Sequence, residues 1–202
     1  MHSVFVSDLH LAPERPQINQ VFFAFTRDAA PQADALYILG DLFEYWVGDD
    51  DLGDPFNAAI ADALRDLSGN GTALYFMHGD TLCTGDVEYQ KFRVYAHDPE
   101  NQRKFLAQPL PARRQQMLGM RTQSERSKQS KPADIMDVAP AAVEQALRRH
   151  GHPRLIHGHT HRPARHLHVV DGHHCERWVL NDWYERGGYL RCDAAGCAAV
   201  SL

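Results

Sequence analysis

Aspartate and histidine occur in this 202-residue chain at spacings suited to holding metal ions. Asp8-Leu9-His10 follows the strand-like run 3–7. Two donors one residue apart share a side of an extended chain, because side chains alternate there. Gly40-Asp41 closes a second apolar run, where glycine permits a tight turn and the carboxylate can bridge two cations. His78 heads His78-Gly79-Asp80 after a third run. His157-Gly158-His159-Thr160-His161 then sets three imidazoles at alternate positions. Mixed carboxylate and imidazole donors suit Mn²⁺, Fe²⁺ or Zn²⁺, and the lack of cysteine among them argues against a structural zinc cage. Two such ions, about 3.5–4 Å apart, polarise a phosphoryl oxygen, activate water and steady a leaving oxygen. Asp8, His10, Asp41, His78, His159 and His161 therefore read together as a two-metal phosphoesterase centre.

The elements that must position these donors alternate in type. Residues 3–7, 35–39 and 72–77 read as strands. Pro16 opens a helical pattern with Ile18, Val21, Phe22 and Phe25 on one face, and Pro55 opens another with Phe56, Ile60, Ala63, Leu64 and Leu67. This βαβαβ rhythm predicts parallel strands whose carboxyl ends collect Asp8, Asp41 and His78. Asp137 is the expected N-cap of a later helix carrying Val143, Ala146 and Leu147 and ending near Gly151. A short strand at 154–156 leads into the histidine triplet. Antiparallel strands are expected at 165–170 and 175–180 around Asp171-Gly172, and at 188–192 and 197–201 around Ala195-Gly196.

Residues 86–131 differ in character: helical, apolar at Tyr89, Phe92 and Phe105, and broken by Pro99, Pro109 and Pro111. From 103 to 131 they carry eight Lys or Arg against Glu125 alone. Such an insertion fits either a lid over an amphiphilic anion, a membrane-surface contact, or a solvated basic face. The net charge of −5 argues against a general nucleic-acid binder. No signal peptide is visible, and no apolar stretch approaches membrane-spanning length. Cys83, Cys175, Cys192 and Cys197 form no C-x-x-C pair or disulfide framework, so a reducing environment and incidental roles are expected. Length and pattern predict one domain over 1–202 with the insertion at about 86–131.

With its D-x-H, G-D, H-G-D and G-H-x-H motifs the chain resembles the calcineurin-like metallophosphoesterases. Ala35-Leu36-Tyr37-Ile38-Leu39-Gly40-Asp41-Leu42-Phe43-Glu44, Gly48-Asp49-Asp50-Asp51, His78-Gly79-Asp80-Thr81-Leu82-Cys83-Thr84, Ile135-Met136-Asp137 and 155–163 resemble the branch that hydrolyses UDP-2,3-diacylglucosamine in lipid A biosynthesis. The resemblance implies an α/β fold, a β-sandwich flanked by helices with a helical lid. It implies two Mn²⁺, one held by Asp8, His10, Asp41 and His161, the other by Asp41, His78 and His159. It also implies substrate contacts from Asp86, Ser124, Lys128, Lys131 and His159, with Tyr89 on the helix of Asp86. Work at the cytoplasmic face of the inner membrane, with no nucleic acid and no obligate protein partner, is the matching expectation.

One departure stands out. The family's G-N-[HR]-D motif is missing, and residues 74–82 read as the strand of that motif fused to the later H-G-D motif. By resemblance roughly 35–40 residues are absent, about one αβ unit. The second ion loses its Asn ligand and the phosphoryl site an Arg, so reduced or absent turnover is expected. A different phosphodiesterase of the same family and a silent metal-binding remnant are the competing readings.

Overall fold

The structure, a computed structural model, describes residues 1–76, 79–130, 136–151 and 154–202. Strands β1 (His2–Val6), β2 (Ala35–Ile38) and β3 (Ala73–Phe76) run parallel, with Ser3 opposite Ala35 and Leu36 opposite Leu74. Together with β7 (Gly188–Asp193) and β8 (Gly196–Ser201) they form a five-stranded sheet in the order β3-β2-β1-β7-β8. A second sheet, in the order β4-β6-β5, joins β4 (Arg154–His157), β6 (His173–Val179) and β5 (Ala164–Val170). Here β4 lies parallel to β6, and β5 antiparallel to it.

Three apolar layers explain why the sheets stack. Val4, Val6, Leu36 and Ile38 bury one face of the large sheet against Ile18 and Phe22 of α1 (Pro16–Ala24) and Ile60, Leu64 and Leu67 of α2 (Pro55–Gly69). Proline at the first turn of each helix fits, since its missing N–H has no partner there anyway. The opposite face presents Phe5, Tyr37 and Leu190 to Ile156 and Trp178 of the second sheet. Behind that sheet, Val143 and Leu147 of α6 (Pro140–His150) pack on Val170 and Cys175. The result is an α/β fold of two mixed sheets flanked by helices.

Asp137 is not the N-cap of α6. Ala139 holds that place, because Pro140 keeps the residue before it extended and starts the helix itself. Asp137 instead accepts from the Val138 N–H at 2.7 Å and pairs with Arg162 at 2.6 Å. The cysteines also depart from expectation. Cys192 and Cys197 face each other across the β7–β8 hairpin, 4.1 Å apart at Cα, and form a disulfide. The hairpin register creates that pairing, which a spacing of five residues does not announce. Cys83 and Cys175 are buried free thiols.

The insertion consists of α3 (Val87–His97), α4 (Pro99–Leu106) and α5 (Leu110–Ser130). Pro99 and Pro109 mark its breaks. Pro111 does not, because it sits at the second position of α5 where no donor is needed. Three of its arginines pair with carboxylates of the segment after β2. Arg113 is buried, donates to the Val47 carbonyl and pairs with Asp50, Arg114 pairs with buried Asp51, and Arg121 pairs with Glu44. These bonds pin α5 to the segment that follows β2. Among the described residues no helix is long and apolar enough to cross a membrane.

Candidate metal centre

The loops after β1 and β2 run side by side, zipped by backbone hydrogen bonds from Asp8 N to Gly40 O (3.2 Å) and His10 N to Asp41 O (2.9 Å). Across from them the loop after β4 is held by Leu180 N to His157 O (2.9 Å), and Trp183 N donates to Asp8 O (3.0 Å). The carboxyl ends of β1, β2, β4 and β6 thus converge on one place. Gly158 is required there by space: a Cβ on it would collide with the Asp8 carboxylate and with Ser7.

Asp8, His10 and His161 each direct a ligand atom into a common point, all within 4.8 Å of one another. His161 Nε2 lies 3.3 Å from Asp8 Oδ1, and His10 Nε2 lies 3.7 Å from Asp41 Oδ2. The outer nitrogens face carboxylates as well: His10 Nδ1 stands 3.3 Å from Glu44 and His161 Nδ1 3.6 Å from Asp182. A carboxylate thus stands behind each imidazole, the placement from which metal-bound histidines are oriented. His159 turns its N–H to both oxygens of Asp8 at 3.0 Å, while its ring lies against Tyr89 at 5.0 Å.

The backbone of these residues is unusual. Asp8 (φ 53°), His10 (47°), Asp41 (49°), His159 (71°) and His161 (53°) all occupy the left-handed region. The expectation that Asp8 and His10 share a side by strand alternation is therefore corrected. The chain has left the extended state at both, and each ligand is aimed by a left-handed kink. Among the described non-glycine residues only Asp171, in the β5–β6 turn, also has positive φ. Such residues cost about 1–3 kcal/mol each and gather where function holds them.

The donor set fits a divalent cation. Both ring nitrogens of His10 are buried without a hydrogen-bond partner, an arrangement costly for an imidazole unless an ion satisfies it. Burial pushes the His10 pKa down to about 4 against the pull of Asp41, so the ring is neutral and free to ligate near pH 7. For Asp8, burial raises the pKa, yet hydrogen bonds from His161 and the His159 N–H outweigh it and hold the carboxyl below its usual value.

Asp8, His10 and His161 form one cluster, with Asp41 beside it. His78 and Lys131 lie outside the described residues, and no second cluster occurs among those described. Asp86 caps α3, accepting from Tyr89 N at 3.1 Å, and Ser124 is exposed on α5, which also carries Lys128. Asp80 is engaged with Arg93 at 2.6 Å and with the Tyr89 hydroxyl at 3.3 Å. Sequence reasoning missed Glu44, Asp182, Tyr184 and Arg15. Tyr184 stacks on His10 at 5.1 Å, and Arg15 lies over Tyr184 while donating to the carbonyls of Leu9 (3.0 Å) and His10 (2.7 Å). The one available signal was Asn181-Asp182-Trp183-Tyr184, polar and aromatic at the end of a strand.

A cavity of about 650 Å³ opens between the loop at Trp46–Asp50 and the insertion, lined by Phe92, Tyr95, Phe105, Met117 and Met120 together with polar residues such as Asp50, Gln102 and Arg113. Half of the exposed large apolar side chains among the described residues, including Val94 and Leu118, also lie on α3–α5.

No family model matches the chain. Individual relatives do. A UDP-2,3-diacylglucosamine hydrolase of Aromatoleum aromaticum is 48% identical over 233 residues, covering 97% of this chain and 95% of the relative. Proteins of the same name from Stenotrophomonas maltophilia (41% over 246 residues) and Edwardsiella ictaluri (40% over 240) cover all of this chain and 99% and 92% of themselves. An archaeal phosphodiesterase structure shares 11% identity at a TM-score of 0.42 over both full chains, a distant likeness only. The alignments are longer than the 202 residues here, so roughly 40 positions of the relatives, about one αβ unit, have no counterpart. At these identities and coverages, the chain belongs to the UDP-2,3-diacylglucosamine hydrolase family.

Proposed function

We propose that this chain is a metal-dependent hydrolase that cleaves the pyrophosphate of UDP-2,3-diacylglucosamine, giving 2,3-diacylglucosamine 1-phosphate and UMP in lipid A biosynthesis. The observation that carries the reading is the cluster of Asp8, His10 and His161, with its orphaned His10 nitrogens, in a chain aligned over nearly its whole length with hydrolases of that name. The fold is then a calcineurin-like sandwich forming one domain over 1–202, with a helical lid at about 86–131.

Asp8, His10, Asp41 and His161 would hold one Mn²⁺, and Asp41, His78 and His159 would help to hold a second. When bound, such a pair polarises the phosphoryl oxygens and activates water for attack on the phosphorus next to uridine. The residues of the chain do the positioning. Glu44 and Asp182 orient the imidazoles, and Asp86, Ser124, Lys128, Lys131 and His159 engage the substrate. The apolar cavity beneath Phe105 and Met117 accepts acyl chains, which favours a lipid over a nucleotide diester. The exposed apolar side chains of α3 and α5 fit a peripheral place at the cytoplasmic face of the inner membrane.

A second reading, a chain that holds metal without turnover, is favoured by one observation: the roughly 40 aligned positions without counterpart, about one αβ unit. That length matches the loss inferred around 74–82, which removes an Asn ligand and an Arg. On the leading reading the chain therefore works more slowly than its relatives. Purified protein assayed for UMP release with Mn²⁺ separates the two. Slow, metal-dependent release supports the hydrolase. Stoichiometric metal with no release of UMP, and none of nitrophenol from an activated diester, supports the silent chain.

A further inference from the structure

Glu44 connects two parts of the molecule that have separate jobs. One of its oxygens pairs with Arg121 of α5, and the other stands 3.3 Å from Nδ1 of His10. Glu44 Oε2 and His10 Nδ1 are both buried, neither makes a hydrogen bond, and they face each other across that 3.3 Å. The Glu44 backbone is fixed as well: its N–H donates to Leu11 O at 3.0 Å, one residue beyond His10. On the helix side, Arg114 and Arg121 are seven residues apart and share a face. Arg114 anchors that face to Asp51, while neighbouring Arg113 binds Val47 O and Asp50. Met117 and Met120, on the same helix, line the apolar cavity. A helix that lines the cavity is thus connected, through the Arg121–Glu44 ion pair and the 3.3 Å approach of Glu44, to the outer nitrogen of a buried imidazole in the metal cluster.

We infer that Arg121–Glu44–His10 is a latch coupling the lid to the metal centre. Arg121 is a positioning residue that holds Glu44 where it orients His10, so docking of α5 strengthens metal binding and metal binding strengthens docking of α5. The reciprocity is obligatory if the coupling exists, because two linked equilibria must shift each other by the same factor. The inference rests on the metal-centre reading given above.

Charge alone predicts the opposite sign, which makes the test decisive. Arg121 is a cation near a cation site, so if it acted only through its charge, removing it would tighten metal binding. Mn²⁺ affinity is measured by titration calorimetry on the whole chain and on Arg121→Ala, Arg121→Lys and Glu44→Gln. Loss of an outer partner of a ligating histidine weakens metal binding by about 10–100-fold. The latch predicts weakening of that order for Glu44→Gln, a smaller weakening for Arg121→Ala, and partial recovery in Arg121→Lys. Amide exchange gives an independent readout: Mn²⁺ slows exchange across residues 110–124 of the parent chain, and this slowing is lost in Glu44→Gln. Unchanged or tighter Mn²⁺ binding by folded Arg121→Ala overturns the latch, as does exchange in α5 that Mn²⁺ leaves unaltered. Should Arg121→Ala fail to fold, the exchange measurement decides. If the parent chain binds no Mn²⁺ at all, the metal-centre reading fails first and takes the latch with it.

Discussion

Nη1 of Arg177 stands 3.2 Å from Nε2 of His157, with both side chains buried between the strand that feeds the histidine-rich loop and its neighbour. The other ring nitrogen, Nδ1, lies 2.9 Å from Gly158 O and so carries the proton, leaving Nε2 to accept from the guanidinium. Of the three imidazoles in the loop, His157 is thus the one spent on shaping it. Burial pushes its pKa down to about 4, against the Gly158 carbonyl and with help from Arg177.

That shift has a sign for stability. Unfolded, His157 titrates near about 6.5, so below that pH the unfolded chain binds a proton that the native chain refuses. Its contribution is complete above about 6.5 and is lost as pH falls toward 4, by roughly 3 kcal/mol in all. Urea denaturation of the metal-free chain and of His157→Asn at pH 7, 6 and 5 should show their stability difference shrinking as pH drops. A difference that stays flat would assign the acid sensitivity elsewhere.

The left-handed ligands give a second expectation, at Asp41. Alanine at φ 49° carries the clash of Cβ with the following carbonyl, whereas glycine does not. Metal-free Asp41→Gly should therefore be more stable than Asp41→Ala by about 1 kcal/mol, although both have lost the same ligand. Both should bind Mn²⁺ more weakly than the parent. Thermal denaturation with and without Mn²⁺ checks the two halves together, and equal stability of the two variants would mean the backbone relaxes at no cost.

Asp8, His10, Asp41 and the histidine triplet were legible in the sequence because metal donors repeat at strand ends, where polarity interrupts apolar runs. The strands and helices around them were legible from period and from Pro16 and Pro55. Three things were not. The left-handed kinks at Asp8 and His10 carry no sequence signal, since aspartate and histidine are ordinary in many backbone states. The pairing of Arg113, Arg114 and Arg121 with Asp50, Asp51 and Glu44 was hidden, because charge counts along a segment cannot tell which carboxylates meet it in space. The disulfide between Cys192 and Cys197 depends on a hairpin register that only pairing establishes.

The cavity yields a prediction about substrate rather than chemistry. Met117 lines it and is not one of the clustered metal donors. Met117→Glu places a carboxylate in the apolar lining, at a cost of about 1–3 kcal/mol to an acyl chain that must share the space. The KM for UDP-2,3-diacylglucosamine should rise by about 5–150-fold. Hydrolysis of a small activated phosphodiester, which never enters the cavity, should be unchanged. An equal loss on both substrates would mean that Met117 supports the fold and not the acyl chain.

The shortfall against the relatives leads to the last expectation. About 40 aligned positions, roughly one αβ unit, have no residue here, and the fused stretch at 74–82 is where the resemblance puts the loss. Two consequences should be separable. The Asn ligand belongs to the second ion, so the chain should take up one Mn²⁺ tightly, through Asp8, His10 and His161 with Asp41 beside them. The Arg belongs to the phosphoryl group, and a missing donor there costs about 10²–10³ in kcat. Grafting the corresponding segment from the Aromatoleum aromaticum relative should raise Mn²⁺ stoichiometry from one toward two. It should also raise the rate of UMP release by about 10²-fold or more. Replacing only the grafted Asn by Ala should return the stoichiometry to one while leaving the added sheet edge covered, which separates ligand loss from a fold defect. If the grafted and parent chains release UMP at the same rate, the compact chain has found its own substitute for the missing donors.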